Sequence, residues 1–259
     1  MKRIHIVGAP RTGTTLMLEL MVTGFEIDGY ASEETSVLTY PQREFRVLLT
    51  KNPRDHAAVV PLLALDPEQW FIFMLRDPRD MLVSRHGRAP DRYWSGLNPW
   101  RAAWRNIADV RQHSRLKVVR YEDLVAAPDV VQTQIAEFLP FLRTRARFSE
   151  FHRHSRPSRQ SAEAMGPLRP IDGDSVGAWR RHKPRVVAQI QRHGPISQDL
   201  IDAGYERDDA WLQELEGVEP DRSPGFWPEL EMEEYVRRLR QAFEAELPGY
   251  LVKRGLRLR

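Results

Sequence analysis

Residues 8–15 read Gly8-Ala9-Pro10-Arg11-Thr12-Gly13-Thr14-Thr15, directly after the apolar run Ile4-His5-Ile6-Val7. An apolar strand, a loop bounded by Gly8 and Gly13 and an apolar helix from Leu16 to Val22 make a unit with few alternatives. Glycines let backbone N–H groups close around an anion, and the N-terminus of the helix behind them favours negative charge. The unit points to a phosphate held by Arg11, Thr12, Gly13, Thr14 and Thr15. The glycine spacing is that of a triphosphate-binding loop, which needs a Lys after its second glycine to reach the β and γ phosphates. Thr14 stands there instead, and the cation sits upstream at Arg11.

The rest of the first half repeats the alternation of strand and helix. Arg46 to Leu49, Trp70 to Leu75 and Leu116 to Val119 read as strands. Trp70 to Leu75 is a continuous apolar run of the kind that parallel strands show when both faces are covered. Between them His56 to Leu65 (interrupted by Pro61), Asn98 to Gln112 and Pro128 to Leu139 read as helices, with Pro78 opening another and Gly24 a candidate left-handed cap. Such alternation predicts a three-layer α/β fold, a parallel sheet flanked by helices, with ligands at the carboxyl ends of the strands. From Arg143 to Pro170 the chain is polar and reads as extended or mobile. Glu206 to Pro228 reads as an acidic connector and Glu229 to Leu247 as an amphipathic helix. The expected organisation is a core over residues 1–185 and a helical C-terminal extension over 186–259, packed into one globular unit.

Composition narrows the functional classes. The chain has 259 residues, 41% of them hydrophobic, enough for a sizeable core. A net charge of +3 is too mild to argue for nucleic acid. There are no cysteines, so thiolate catalysis and thiolate metal sites are excluded. No apolar run is long enough to span a bilayer, and the first strand begins almost at once, so the expectation is a cytoplasmic enzyme. Basic side chains are mostly Arg, whose forks suit phosphate and sulfate; genomic base composition is the plain alternative.

Further motifs follow the later strands. Leu75-Arg76-Asp77-Pro78-Arg79-Asp80 ends the Trp70 strand, and Ser84 lies eight residues after Arg76. Arg76 leaving the sheet edge and Ser84 two turns along the next helix can meet one terminal phosphate. Val119-Arg120-Tyr121-Glu122-Asp123-Leu124 ends another strand, with Tyr121 either an aromatic face for a base or a core residue. Ser32-Glu33-Glu34-Thr35-Ser36-Val37 offers carboxylates, and Leu49-Thr50-Lys51-Asn52-Pro53 a cation.

Together these motifs resemble those of sulfotransferases that use 3′-phosphoadenosine 5′-phosphosulfate (PAPS). Gly8 to Thr15 is similar to their 5′-phosphosulfate loop, and Arg76 with Ser84 to their 3′-phosphate motif. The Tyr121 segment resembles the element whose Tyr lies against adenine. Glu34-Thr35-Ser36-Val37 is similar to the Glu-Thr-x-Val segment of tyrosylprotein sulfotransferases. The resemblance implies a P-loop-like sulfotransferase fold and PAPS as co-substrate without a metal. It implies Glu34 as general base, with Glu33 in reserve, and Arg11 and Lys51 as stabilisers of the leaving phosphate. A Lys-Thr-His segment supplies a catalytic His in cytosolic members; Asn52 and Pro53 follow Lys51 here, leaving His56 and His86 as minor candidates. Their Arg-Lys-Gly triplet is also missing, with Arg169 or Arg180 as possible substitutes, and Leu16 replaces a Trp. Asp174-Ser175-Val176-Gly177-Ala178-Trp179 resembles a C-terminal Ser-x-Gly-x-Trp element of bacterial members.

The expected reaction is sulfuryl transfer to a hydroxyl of a carbohydrate or small molecule, with a peptide tyrosine next. Tyr93, Trp94 and Trp100 are read as a lid over that acceptor. No nucleic-acid partner is expected, and the oligomeric state is not legible. Two other readings stay open: a P-loop kinase or NTPase, and a nucleotide-binding protein without catalysis.

Overall fold

A computed structural model describes residues 1–256. Five parallel strands form one sheet in the order β2-β3-β1-β4-β5. They are β1 (Lys2–Gly8), β2 (Gly29–Tyr30), β3 (Val47–Lys51), β4 (Gln69–Leu75) and β5 (Leu116–Arg120). The helices are α1 (Thr14–Gly24), α2 (Val59–Leu65), α3 (Pro78–Leu82), α4 (Asn98–Asn106), α5 (Tyr121–Ala126), α6 (Pro128–Phe138), α7 (Phe151–His154), α8 (Arg159–Met165), α9 (Lys183–His193), α10 (Ser197–Asp202) and α11 (Met232–Arg254). This is the expected α/β class, a parallel sheet with flanking helices and a C-terminal helix.

Period-two geometry divides the apolar strand residues between two cores. Phe71, Phe73 and Leu75 of β4 pack with Val7 against α2, α4, α9 and α10, whereas Ile72 and Met74 pack with Ile4 and Ile6 against α1, α6 and Phe148. The central strands are therefore apolar on both faces. Truncating a buried Phe such as Phe73 to Ala would cost about 3–5 kcal/mol. All five strands point their carboxyl ends the same way, so the loops after β1, β3, β4 and β5 converge on one edge.

Some local expectations change. Gly24 is not left-handed; Phe25, extended at φ −130°, ends α1. Gly24 serves packing instead, since a Cβ there would lie 2.5 Å from the Phe148 ring. The 143–170 segment is not simply extended: it carries α7 and α8 and buries Phe148, Phe151 and Ser161. Glu206 to Pro228 includes a 3₁₀ turn, Ala210–Leu215, that buries Trp211. The terminal helix runs beyond Leu247 to Arg254, and residues 257–259 of the expected extension lie outside the described residues. Tyr250 on α11 is buried in the sheet core. Its hydroxyl donates to the buried Asp66 carboxylate, which also accepts Arg254 Nε and Nη2 at 2.8 Å each. Among the described residues no helix is long and apolar enough to cross a membrane.

Candidate active site

The loop between β1 and α1 depends on its two glycines. A Cβ on Gly8 would sit 2.5 Å from the Met74 carbonyl oxygen. Gly13 caps α1 in the left-handed region (φ 93°), and a Cβ there would lie 2.7 Å from the Tyr121 ring. Only glycine permits both the conformation and the approach. Arg11 is also left-handed, at φ 69°, an uncommon state for a side chain with a Cβ and one found often at functional sites. Thr12 has a different place from the one expected. Its hydroxyl and amide both donate to the Ala9 carbonyl, at 2.7 and 3.3 Å, and it is buried. It braces the loop from behind, while Arg11, Gly13, Thr14 and Thr15 line a cleft of about 430 Å³.

Arg76, at the end of β4, reaches that cleft from below. Its two terminal nitrogens donate to the carbonyls of Arg11 and Ser175, both at 3.0 Å, and its Nε is buried without a partner among the described residues. Its guanidinium lies 4.4 Å over the Tyr121 ring, whose hydroxyl is 2.9 Å from Ser175 Oγ. Asp77 caps α3 by accepting from the Arg79 amide at 2.8 Å, and Pro78 fills the first helical position. The helix is short, so Ser84 lies just past its end rather than two turns along. Ser84 Oγ accepts Arg11 Nε at 3.0 Å, and Arg11 also donates to the Ala164 carbonyl at 3.1 Å. Burial and the neighbouring Arg76 charge bring Arg11 down to about 10. Among the described residues neither Arg11 nor Arg76 forms an ion pair.

The far wall of the cleft comes from residues 164–182. Asp80 fixes this segment by accepting the amides of Gly177 at 2.7 Å and Trp179 at 2.9 Å. Burial raises the Asp80 carboxyl despite those two bonds. Of the cations proposed to close the site, Arg169 lines the cleft and pairs with Asp172 at 2.8 Å. Arg180 is turned away, over Trp179 and onto Glu214; Arg181 lines the cleft in its place.

Lys51, buried at the end of β3, connects the loop to the candidate base. Its ammonium donates to Thr15 Oγ1 and to Glu34 Oε1, both at 3.1 Å. The Glu34 amide donates to Gln160 Oε1 at 3.1 Å, so α8 helps to hold this segment. Glu33 is exposed, and among the described residues its carboxylate has no such link. Arg11, Thr14, Thr15 and Glu34 also line a second cavity of about 520 Å³, walled by Trp94, Trp227, Tyr235 and Leu239. The two cavities meet at Arg11, Thr14, Thr15 and Ala164.

The aromatic lid is corrected in part. Trp94 faces the second cavity, but Tyr93 and Trp100 are core residues, and Trp100 donates to the Arg76 carbonyl at 2.8 Å. His56 is fully buried, accepts Asn106 at 2.7 Å and lies outside both cavities, which removes it as a catalytic candidate. Burial pushes it down to about 4. His86 lines the second cavity, stacked 4.1 Å from Trp94. Among the described residues no group of three His, Asp or Glu side chains converges as a metal site.

A sequence model of the sulfotransferase family matches residues 28–141, a span that holds Glu34, Lys51, Arg76, Ser84 and Tyr121. It bears out the sulfotransferase resemblance of the sequence. No curated protein matches the chain. Among solved structures, the sulfotransferase domain of the Synechococcus PCC 7002 olefin synthase is 19% identical, with a TM-score of 0.48, over 70% of this chain and 87% of that one. The sulfotransferase domain from the curacin biosynthetic pathway is 15% identical, TM-score 0.45, over 94% and 97%. A mouse sulfotransferase complexed with PAP is 13% identical, TM-score 0.43, over 93% and 88%.

Proposed function

We propose that the chain is a PAPS-dependent sulfotransferase acting on an acceptor hydroxyl, of a carbohydrate or small molecule before a peptide tyrosine. The observation that carries this reading is the pair of guanidiniums, Arg11 and Arg76, turned toward one cleft and hydrogen-bonded, among the described residues, only to neutral groups. Buried charge without a counter-charge is costly, and an anionic ligand with two phosphoester ends supplies what is missing. The unpartnered Arg76 Nε fits such a ligand, and backbone carbonyls occupy its other nitrogens.

In this reading Arg76 and Ser84 hold the 3′-phosphate, and Tyr121 lies against the adenine. Arg11 and the amides of Gly13, Thr14 and Thr15 hold the 5′ end. When bound, PAPS supplies an activated sulfuryl group and leaves as adenosine 3′,5′-bisphosphate. Arg11 and Lys51 stabilise the negative charge that grows on the leaving phosphate. Glu34 takes the proton of the attacking hydroxyl, and the Lys51 ammonium 3.1 Å from it holds it in place. These side-chain cations carry the charge stabilisation, and no metal is assigned a role. Residues 1–185 hold the donor site, and the extension from 186 closes the acceptor side.

Calorimetric titration separates this reading from a kinase or NTPase. Adenosine 3′,5′-bisphosphate without magnesium should bind, and radiolabelled PAPS should pass its label to an acceptor in a cell extract. Binding of ATP with magnesium in preference to the bisphosphate would overturn the reading. Bisphosphate binding with no labelled acceptor from any extract would make the chain a nucleotide-binding protein without catalysis.

A further inference from the structure

We propose that the acceptor is a small molecule with a flat, apolar body, and that Trp94, Trp227, Tyr235 and Leu239 select it. The inference rests on the sulfotransferase reading above and narrows its acceptor. The second cavity, about 520 Å³, has the size of a small-molecule site. Thr14, Thr15, Arg11 and Glu34 are among the residues that line it. A body lying in it presents its hydroxyl to the candidate base, at the wall shared with the donor cleft.

The walls come from parts of the chain with no sequence motif. Tyr235 and Leu239 stand one helical turn apart on α11, so both face the cavity from one side. Trp94 is held by stacking on His86 at 4.1 Å and on Phe226 at 4.5 Å, and Trp227 stands nearly perpendicular to it, 5.8 Å away. The corner is therefore rigid before any ligand arrives, which reduces the entropy lost on binding. Trp227 is 54% exposed and offers aromatic surface.

Polar side chains also border the cavity; the Tyr235 hydroxyl is buried without a partner among the described residues and can meet a single polar group, whereas Glu229 and Asn98 are already engaged. Glu229 accepts Arg185 at 2.6 Å, Gln189 at 2.9 Å and His193 at 3.3 Å. Burial alone would raise its carboxyl, yet His193, Gln189 and Arg185 hold it down at about 2. Asn98 donates to the Leu230 carbonyl at 2.9 Å and contacts His193. Arg54 and Arg238 are exposed at the rim, and Arg238 pairs with Glu234. A sugar brings several hydroxyls that each need a partner, and a buried hydroxyl left without one costs about 1–3 kcal/mol. An apolar body needs none, and its burial is favourable.

The test is calorimetric titration of 2-naphthol and of methyl glucoside into the full chain, with and without adenosine 3′,5′-bisphosphate. It is paired with label transfer from PAPS to each and to a tyrosine peptide. Naphthol should bind and be sulfated; the glucoside should do neither. Leu239→Arg and the milder, surface Trp227→Ala should each weaken naphthol by about tenfold or more while leaving bisphosphate affinity unchanged. Absence of naphthol binding, preference for the glucoside or the peptide, or unchanged naphthol affinity in both variants would overturn the proposal. Naphthol binding that the variants weaken, in a chain that binds no bisphosphate, would instead overturn the sulfotransferase reading and leave the apolar cavity standing.

Discussion

Lys51 and Glu34 form an ion pair at 3.1 Å in which the cation is buried and the half-exposed carboxylate lines the second cavity. The same ammonium holds Thr15 at 3.1 Å, so one side chain spans the phosphate loop and the candidate base. Glu34→Gln should keep the fold and the bisphosphate affinity, because it removes a charge and barely changes shape. Turnover should fall by about 10²–10⁴, the usual contribution of a positioned base. Single-turnover label transfer measures it. An active Glu34→Gln beside an inactive Glu33→Gln would move the role one residue upstream; activity in both, lost in His86→Ala, would end the carboxylate mechanism.

Arg76→Ala should weaken adenosine 3′,5′-bisphosphate far more than AMP, which lacks the 3′-phosphate. A lost charged hydrogen-bonding group costs about 1.5–3 kcal/mol. Calorimetry with both ligands decides the matter: equal losses would mean that Arg76 supports only the Arg11 and Ser175 carbonyls it touches here.

Arg11→Ala should reduce turnover more than donor affinity, since Arg11 is assigned to charge that develops as the phosphate leaves. Removing such a donor costs about 2.7–4 kcal/mol in the transition state. Lys51→Ala should behave alike. Near-normal single-turnover rates at saturating PAPS in either variant would reduce that residue to a structural brace.

His56 gives a pH dependence of stability. In the unfolded chain its ring takes a proton near pH 6.5, whereas burial in the fold delays this to about 4. Between those values the unfolded state binds more protons, so unfolding free energy falls as pH falls, by at most about 1.4 kcal/mol per pH unit. The buried His5 is lowered too and adds in the same direction. Urea unfolding from pH 4.5 to 7.5 should show a shallower slope in His56→Gln, which can still accept from Asn106. An unchanged slope would assign the effect elsewhere.

The positions that the sequence made legible are those at strand ends. Gly13, Arg76 and Tyr121 each follow an apolar run by a residue or a short loop, so local pattern alone puts them on one sheet edge. The rest of the site depends on distant pairings that leave no spacing to read. Arg76 meets Ser175 across 99 residues, and Arg11 meets Ala164 across 153. β2 is only two residues long and offers no pattern at all. Trp94 and Trp100 look alike in the chain, and only the fold turns one to the cavity and the other into the core. Hydropathy cannot separate a packed indole from a waiting one. Leu239 was legible as part of an apolar helix face, but what that face would line was not.

The anchorage of α11 has a consequence for how such a chain can change. Its Tyr250 and Arg254 are fastened to Asp66 deep in the sheet core, whereas Tyr235 and Leu239 wall the second cavity about 22 Å nearer its start. The helix is a beam clamped at one end, with its working surface near the other. Substitutions at the working end alter what fits beneath the beam without loosening the clamp. On the proposed reading, acceptor preference can therefore drift among descendants of this chain while the donor cleft and thermal tolerance stay where they are.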